Sequence, residues 1–314
     1  MRFGRRERTA PAEQMEPTFG ERPSVAVITV TRNEGDMLRL WCDHYARHVG
    51  RDALLIFDDN STDGSTEAAS AAGCSVHRIP GFPGGAGFER SRIALVSDVA
   101  AGLLHVYDYV VFVDVDEFLV PDPTLYPDLP AFLGAHRDQE IVGAIGLNLV
   151  HAVDQEQPLD LSRPILEQRS YASLSPLMCK PSVKRVPAPW AAASHGVHGR
   201  YRVSPDLYLL HLKFADRGRL KAIGAERHSA NQADGRAGKS SWSQPGNKLV
   251  AALLAAATPE AIAAATEIDT AALDLDALVL HEEWSLYRAP KIGQLIALRD
   301  QPVVRIPARL RGAL

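Results

Sequence analysis

Cysteine is scarce in this chain: Cys42, Cys74 and Cys179 are three among 314 residues, odd in number and widely scattered. They form no metal or redox spacing, which fits a reducing cytosol. Long apolar runs are absent too. None approaches the roughly 20 residues needed to span a bilayer. The start does not read as a signal peptide, because Arg2, Arg5, Arg6 and Arg8 lead into polar residues. Neither sign of charge prevails. The 34 basic and 38 acidic residues leave a formal net charge of −4, which argues against a nucleic-acid-binding surface. Several catalytic signatures are missing as well. Gly84-Gly-Ala-Gly-Phe-Glu-Arg does not complete a dinucleotide fingerprint, and there is no phosphate loop ending in Gly-Lys-Ser/Thr. His281-Glu-Glu-Trp lacks the second His of a zinc-protease helix, and no Gly-x-Ser-x-Gly elbow occurs.

What is present concentrates at strand ends. Asp108-Tyr-Val-Val-Phe-Val-Asp-Val-Asp-Glu-Phe-Leu is a buried-strand run that ends in two carboxylates one residue apart, Asp114 and Asp116. In an open α/β sheet, ligands bind at the C-terminal ends of strands. Two acids placed there repel each other, and a divalent cation relieves that cost; a solvated acidic turn is the plainer reading. A second strand, Val25 to Val30, stops at Thr31-Arg-Asn-Glu, and Met37, Leu38, Trp41, Tyr45 and Val49 then follow at helical spacing up to Gly50. A third, Ala53 to Phe57, leads into Asp58-Asp-Asn-Ser-Thr-Asp-Gly-Ser and a helix over about 66–72. That polar loop serves equally to cap the helix or to hold a uracil-like base or a ribose hydroxyl. The fourth expected strand is Cys74 to Ile79.

Taken together, Val-Thr-Arg-Asn-Glu (30–34), Asp-Asp-Asn-Ser-Thr-Asp-Gly-Ser (58–65) and Phe-Val-Asp-Val-Asp-Glu-Phe (112–118) resemble the nucleotide-sugar half of a GT-A fold glycosyltransferase. The similarity is to family 2 and the related family 92-like group. It spans about Val25 to Val120, with a weaker echo to about Lys221. Two positions depart from it: Val30 stands where many relatives have Pro, and Arg32 where many have Tyr.

The resemblance implies an α/β fold with a Rossmann-like nucleotide-sugar-binding sheet, an acceptor-side α+β extension and a helical C-terminal part. It implies that Thr31 and Glu34 line the base and ribose pocket, that Asp59 contacts the base and that Asp58 holds the turn. Asp114 is expected at the ribose or the metal, and Asp116 as the direct metal ligand. His211, on the strand Leu207 to Phe214, is the best match to a late-strand His that faces the metal; a core His is the plainer reading. Either Arg90 or Arg92 corresponds to the family's helix-head Arg. The cofactor implied is Mn²⁺ or Mg²⁺, an imidazole ligand tilting the choice toward Mn²⁺.

Past Val120, Pro121, Pro123, Pro127 and Pro130 break the chain before a short helix near Ala131 to His136. Ile141 to Val150 reads as a strand, and 154–189 as loops and short strands facing the acceptor. Lys180 and Lys184 read as surface lysines or as partners of a diphosphate. The stretch from Asn247 to about Leu298 reads as helical, and the tail with Arg305, Arg309 and Arg311 as docking on the domain or meeting a membrane face.

The expected organisation is therefore a disordered arm over 1–22, a glycosyltransferase domain over 23–222 and a mainly helical extension over 223–314. The expected reaction is metal-dependent transfer of a sugar from a nucleoside-diphosphate sugar, a UDP-sugar first, to a hydroxyl of a glycan or glycolipid. Inversion requires a base, and Asp154 and His151 are the candidates. Surface polysaccharide or glycoconjugate synthesis in the cytoplasm, with peripheral contact at the inner membrane face, completes the expectation. The alternatives are a haloacid-dehalogenase-like phosphatase, with Asp114 as nucleophile, and a non-catalytic sugar-nucleotide-binding protein.

Overall fold

Strand β1, Val25–Thr31, is buried at every residue but Val30, as an apolar run covered on both faces should be. The computed structural model describes residues 22–85, 87–235, 244–290 and 303–314; the expected N-terminal arm lies outside them save for Arg22. After β1 come α1 (Asp36–Val49), β2 (Leu54–Asp58), α2 (Ser65–Ala71), β3 (Ser75–Arg78), α3 (Gly87–Leu103) and β4 (Tyr109–Phe112). The four strands pair in parallel in the order β3-β2-β1-β4. Strands β1, β2 and β3 lie within one residue of their expected bounds, and β4 falls inside the expected run that precedes Asp114. This is the Rossmann-like half sheet that the strand-and-helix alternation implies.

Beyond β4 the sheet turns mixed. Strand β5 (Glu117–Pro121) is followed by α4 (Leu129–Ala135), β6 (Ile141–Val150), α5 (Ile165–Gln168), β7 (Tyr171–Leu174), β8 (Val183–Lys184), β9 (Gly196–His198) and β10 (Arg202–His211). The short β8 runs antiparallel between β4 and β6. Strand β6, buried along its whole length, pairs with β7 antiparallel and with β10 parallel, and β10 pairs antiparallel with β5. Helix α1 is pinned to β5 by Tyr45. Its hydroxyl donates to Glu117 O at 3.0 Å and accepts from Leu119 N–H at 2.9 Å. The turn from β4 into β5, which carries Asp114 and Asp116, is thereby fixed against α1.

The C-terminal part contains α6 (Arg217–Asp234), α7 (Gly246–Ala256) and α8 (Pro259–Ala264), then the strands β11 (Leu280–Glu282), β12 (Leu286–Arg288) and β13 (Val303–Arg305). Helices α6 and α7 meet closely enough that a Cβ on Gly246 would lie 2.3 Å from Lys221 O, so only glycine fits there. Helical structure was expected to run on to about Leu298. It gives way after α8, where Asp269 and Asp274 accept bonds from Ala271 and Ala277 N–H and hold short turns instead; residues 291–298 lie outside the described set. Strand β13 pairs with β7, and β12 pairs with β9, so the chain end is bonded back onto both sheets. The tail docks on the domain: Arg309 donates to Asp122 and, at 2.6 Å, to the Tyr208 hydroxyl.

Candidate active site

The C-terminal tips of β2, β1 and β4 lie side by side, because Thr31 is in register with Asp58 and Ile28 with Phe112. Adjacent strands are about 4.8 Å apart, so the loops beyond these tips share one cleft edge. Two of the loops interlock. Asn33 and Asn60 take left-handed backbone, with φ of 55° and 61°. Asn33 N–H donates to Ser61 Oγ at 3.1 Å, and its Oδ1 accepts from Thr62 N–H at 2.8 Å. Asp58 is buried and accepts from Ser61 N–H at 2.7 Å, the turn-holding role expected of it. Asp59 Oδ1 accepts from Phe82 N–H at 3.2 Å, with Arg32 3.9 Å from its other oxygen. Thr31 Oγ1 is buried with no hydrogen-bond partner among the described residues.

The next tip is built on charge. Arg92, from α3, donates to Asp114 Oδ1 at 2.7 Å and to both oxygens of Glu89 at 3.0 and 3.2 Å. The choice between Arg90 and Arg92 thus falls to Arg92; Arg90 is exposed to solvent. Burial works against ionisation of Asp114, but Arg92 and Lys180 outweigh it and hold its carboxyl at about 2. Glu117 supports the same turn from behind. One of its oxygens accepts from Asp114 N–H at 3.2 Å, and the other accepts from Lys180 Nζ at 2.7 Å. Lys180 also donates to Ser194 Oγ at 3.1 Å.

Lys180 and Lys184 are therefore not surface lysines: their side chains are buried. Lys184 bonds to Ala188 O at 2.7 Å, and its ammonium lies 3.6 Å from the Trp190 ring centroid. Both ammonium groups are thus held by the protein itself.

Asp116 has a different set of partners from Asp114. Its Oδ2 lies 3.3 Å from His211 Nε2, and His211 Nδ1 lies 2.7 Å from Asn148 Oδ1 on β6. An amide oxygen only accepts, so Nδ1 donates to Asn148, and Nε2 is the ring nitrogen that faces Asp116. Burial raises the cost of charging Asp116, but His211, Arg227 and Lys213 hold its carboxyl well below the usual range. Lys213 is itself pushed down to about 7 by burial and by Arg227, against the pull of Asp116. Helix α6 closes this side: Arg227 is bonded to Glu34 beyond the tip of β1, and burial lifts the Glu34 carboxyl. Glu34 thus lies at the cleft but already holds a cation. Together Glu34, Asp116, Lys213 and Arg227 line one narrow slot.

His151 does not serve as a free base. Its Nδ1 accepts from Arg217 N–H at 3.1 Å and its Nε2 bonds to Glu156 O at 3.0 Å, so both ring nitrogens are occupied in fixing the start of α6. Asp154 sits exposed on the following turn. Arg227, Asn148 and Glu117 were not expected in or behind the site, and Lys180 only as a surface lysine or a partner of the diphosphate. A lone amide inside the otherwise apolar run of β6 is the one signal that pointed to Asn148.

Among the described residues, no group of three or more His, Cys, Asp or Glu side chains forms a ready-made cation cage. Of the expected set, Asp114 has one oxygen on Arg92, while Asp116 and His211 face each other. The latter two suit Mn²⁺ or Mg²⁺. Such ions are held by one or two protein ligands, with phosphates and water supplying the rest, and the tethered imidazole has the second-shell partner that a metal-binding His keeps.

No protein-family model matches the sequence, and no curated protein matches it. Solved structures do. Glucosyl-3-phosphoglycerate synthase from Mycobacterium tuberculosis, in complex with phosphoglyceric acid, is 24% identical over 40% of this chain and 44% of its own, with a TM-score of 0.30. The same enzyme with Mn²⁺ and UDP-glucose gives 23% identity, the same coverage and a TM-score of 0.30. A mycobacterial protein gives 20% identity over 55% of this chain and 58% of its own, with a TM-score of 0.32. The chain thus spans less than two-thirds of the length of each of these proteins.

Proposed function

We propose that the protein is a glycosyltransferase that moves a sugar from a nucleoside-diphosphate sugar, a UDP-sugar first, to an acceptor hydroxyl with Mn²⁺ or Mg²⁺. The observation that carries this reading is the pairing of Asp116 with the Nε2 of a His211 imidazole that Asn148 holds in place, at a cleft edge shared with Thr31 and Asp59. In this reading Thr31 and Asp59 receive the base, Asp58 holds their loop, and Asp114, kept ionised by Arg92, receives the ribose. Asp116 and His211 hold the cation, which supplies Lewis acidity and counter-charge to the diphosphate. Lys213 and Arg227 add positive charge on the same side, where negative charge grows as the leaving group departs.

The reaction balances simply. The acceptor oxygen bonds to the anomeric carbon, the bond from that carbon to the diphosphate breaks with its electron pair, and the hydroxyl proton passes to a base. Inversion follows from a single displacement of this kind. Asp154 stays in the proposal as that base because its carboxylate is exposed, whereas His151 is engaged. The Arg92–Asp114 pair weighs against the phosphatase alternative, since a guanidinium at 2.7 Å blunts the carboxylate as a nucleophile. The division at about residue 222, a cytoplasmic setting with peripheral membrane contact, and service in surface polysaccharide or glycoconjugate synthesis belong to the same reading. Among the described residues no helix is long and apolar enough to cross a membrane.

The test is a panel of sugar nucleotides with Mn²⁺, in which nucleoside diphosphate release is followed with and without chelator. Metal-dependent release from one donor class supports the reading. Release of inorganic phosphate in place of nucleoside diphosphate, with an acyl-phosphate on Asp114, would replace it with the phosphatase.

A further inference from the structure

A second cleft, of about 470 Å³, opens next to the slot that contains Asp116. Its walls are the first turns of α1 and α6 and the loop 159–162. A volume of this size suits a small ligand. Arg219 lines both the cleft and the slot, so it stands at the passage between them.

The charges around this cleft are not equally available. Asp216 is buried and caps α6: its Oδ1 accepts from Arg219 N–H at 2.7 Å, and its Oδ2 accepts from Leu159 N–H at 2.9 Å with Arg169 at 3.6 Å. Asp160 accepts from both the N–H and the hydroxyl of Ser162, at 2.9 and 2.6 Å. Asp36 has Arg39 at 3.6 Å. Asp216 and Asp160 are thus committed to donors, while Asp36 is exposed beside Arg39. The Arg219 guanidinium, by contrast, has no hydrogen bond or ion pair to any described residue, and its charge reaches Glu34 in the adjoining slot only at longer range. The first turns of two helices, of 14 and 18 residues, also present positive dipole ends to the same space.

We infer that this cleft is the acceptor subsite and that it selects a small acceptor carrying an anionic group, a phosphate or a carboxylate, close to the hydroxyl that reacts. The inference rests on the glycosyltransferase reading for the word acceptor; the anion site itself stands on the cleft alone. Arg219 takes the anionic group and, by its place at the passage, orients the adjoining hydroxyl toward the slot with Asp116. A neutral polyol of the same shape lacks the group that a guanidinium grips through paired hydrogen bonds. This narrows the acceptor from the glycan or glycolipid first expected to a small charged molecule.

Calorimetry with matched probes tests it: glycerol, glycerol 3-phosphate and glycerate, titrated into the wild-type protein, Arg219→Ala and Arg219→Lys, each also titrated with UDP plus Mn²⁺. The expected result is binding of one or both anionic probes and none of glycerol. Affinity should fall about tenfold or more in Arg219→Ala and be partly restored in Arg219→Lys. Equal binding of glycerol and the anions, anion binding indifferent to Arg219, or no anion binding in the wild type would overturn the inference. So would an equal loss of UDP affinity in Arg219→Ala, which would move Arg219 to the donor diphosphate. A wild-type protein that binds the anions through Arg219 but never UDP would keep the anion site and remove the transferase reading.

Discussion

Asp116 and His211 meet at 3.3 Å although they come from different parts of the sheet, the turn after β4 and the end of β10. Pairing of β5 with β10 brings them together, with His211 in register with Glu117. Asn148, in register with His211 on its other side, then fixes the imidazole. The orientation of the imidazole is therefore a property of three neighbouring strands rather than of a loop.

Removing Asn148 should disorient the ring without touching a ligand. Asn148→Ala is expected to weaken Mn²⁺ affinity by roughly 10–100-fold, the usual effect of losing the outer partner of a metal-binding His. Titration of Mn²⁺ in the presence of UDP reads this out, and a thermal melt confirms that the fold persists.

Lys180 and Glu117 form a buried ion pair behind the acidic turn. Lys180→Met strands the Glu117 carboxylate and should cost roughly 3–5 kcal/mol. Adding Glu117→Gln should recover a large part of that loss, because the amide oxygen still accepts from Asp114 N–H and no charge remains buried. Urea denaturation of both variants measures the difference. A double variant as unstable as the single one would show that packing, not charge, governs this spot.

The sheet tips were legible because apolar strand runs end abruptly in polar residues there, and period and composition survive without tertiary information. Asp58, Asp59, Asp114 and Asp116 could be named on that basis. The partners could not. Which of Arg90 and Arg92 faces Asp114 depends on the phase of α3 against β4, which one sequence does not fix. Buried Lys180 looks like any lysine until Glu117 is brought beneath it. His151 looked like a free imidazole because the N-terminus of α6, which occupies it, begins far along the chain. The late strands β11 to β13 are three residues each, too short to leave a periodic trace.

Acid should destabilise the protein in a window set by buried histidines. Burial lowers His48 from 6.5 to about 4, while Asp128 opposes. Between those values the unfolded chain takes up the proton and the folded one does not. The stabilising contribution is thus fully present above pH 6.5 and is lost as the pH falls toward 4. At its largest it is about 3 kcal/mol. Burial pushes His44, packed edge-on to His48, in the same direction. His48→Asn keeps an acceptor for the Leu129 N–H and should flatten the fall in unfolding free energy across this window. An unchanged slope would mean that other groups set the acid limit.

The central claim is that the Asp116 carboxylate binds the cation that supports donor binding. Asp116→Asn keeps the shape and removes the charge. The decisive measurement is calorimetric titration of UDP into the wild-type protein and this variant, each with Mn²⁺ and with chelator. The account predicts that Mn²⁺ tightens UDP binding by about tenfold or more in the wild type, worth about 1.4 kcal/mol, and does not tighten it in Asp116→Asn. The same tightening by Mn²⁺ in both proteins would contradict it.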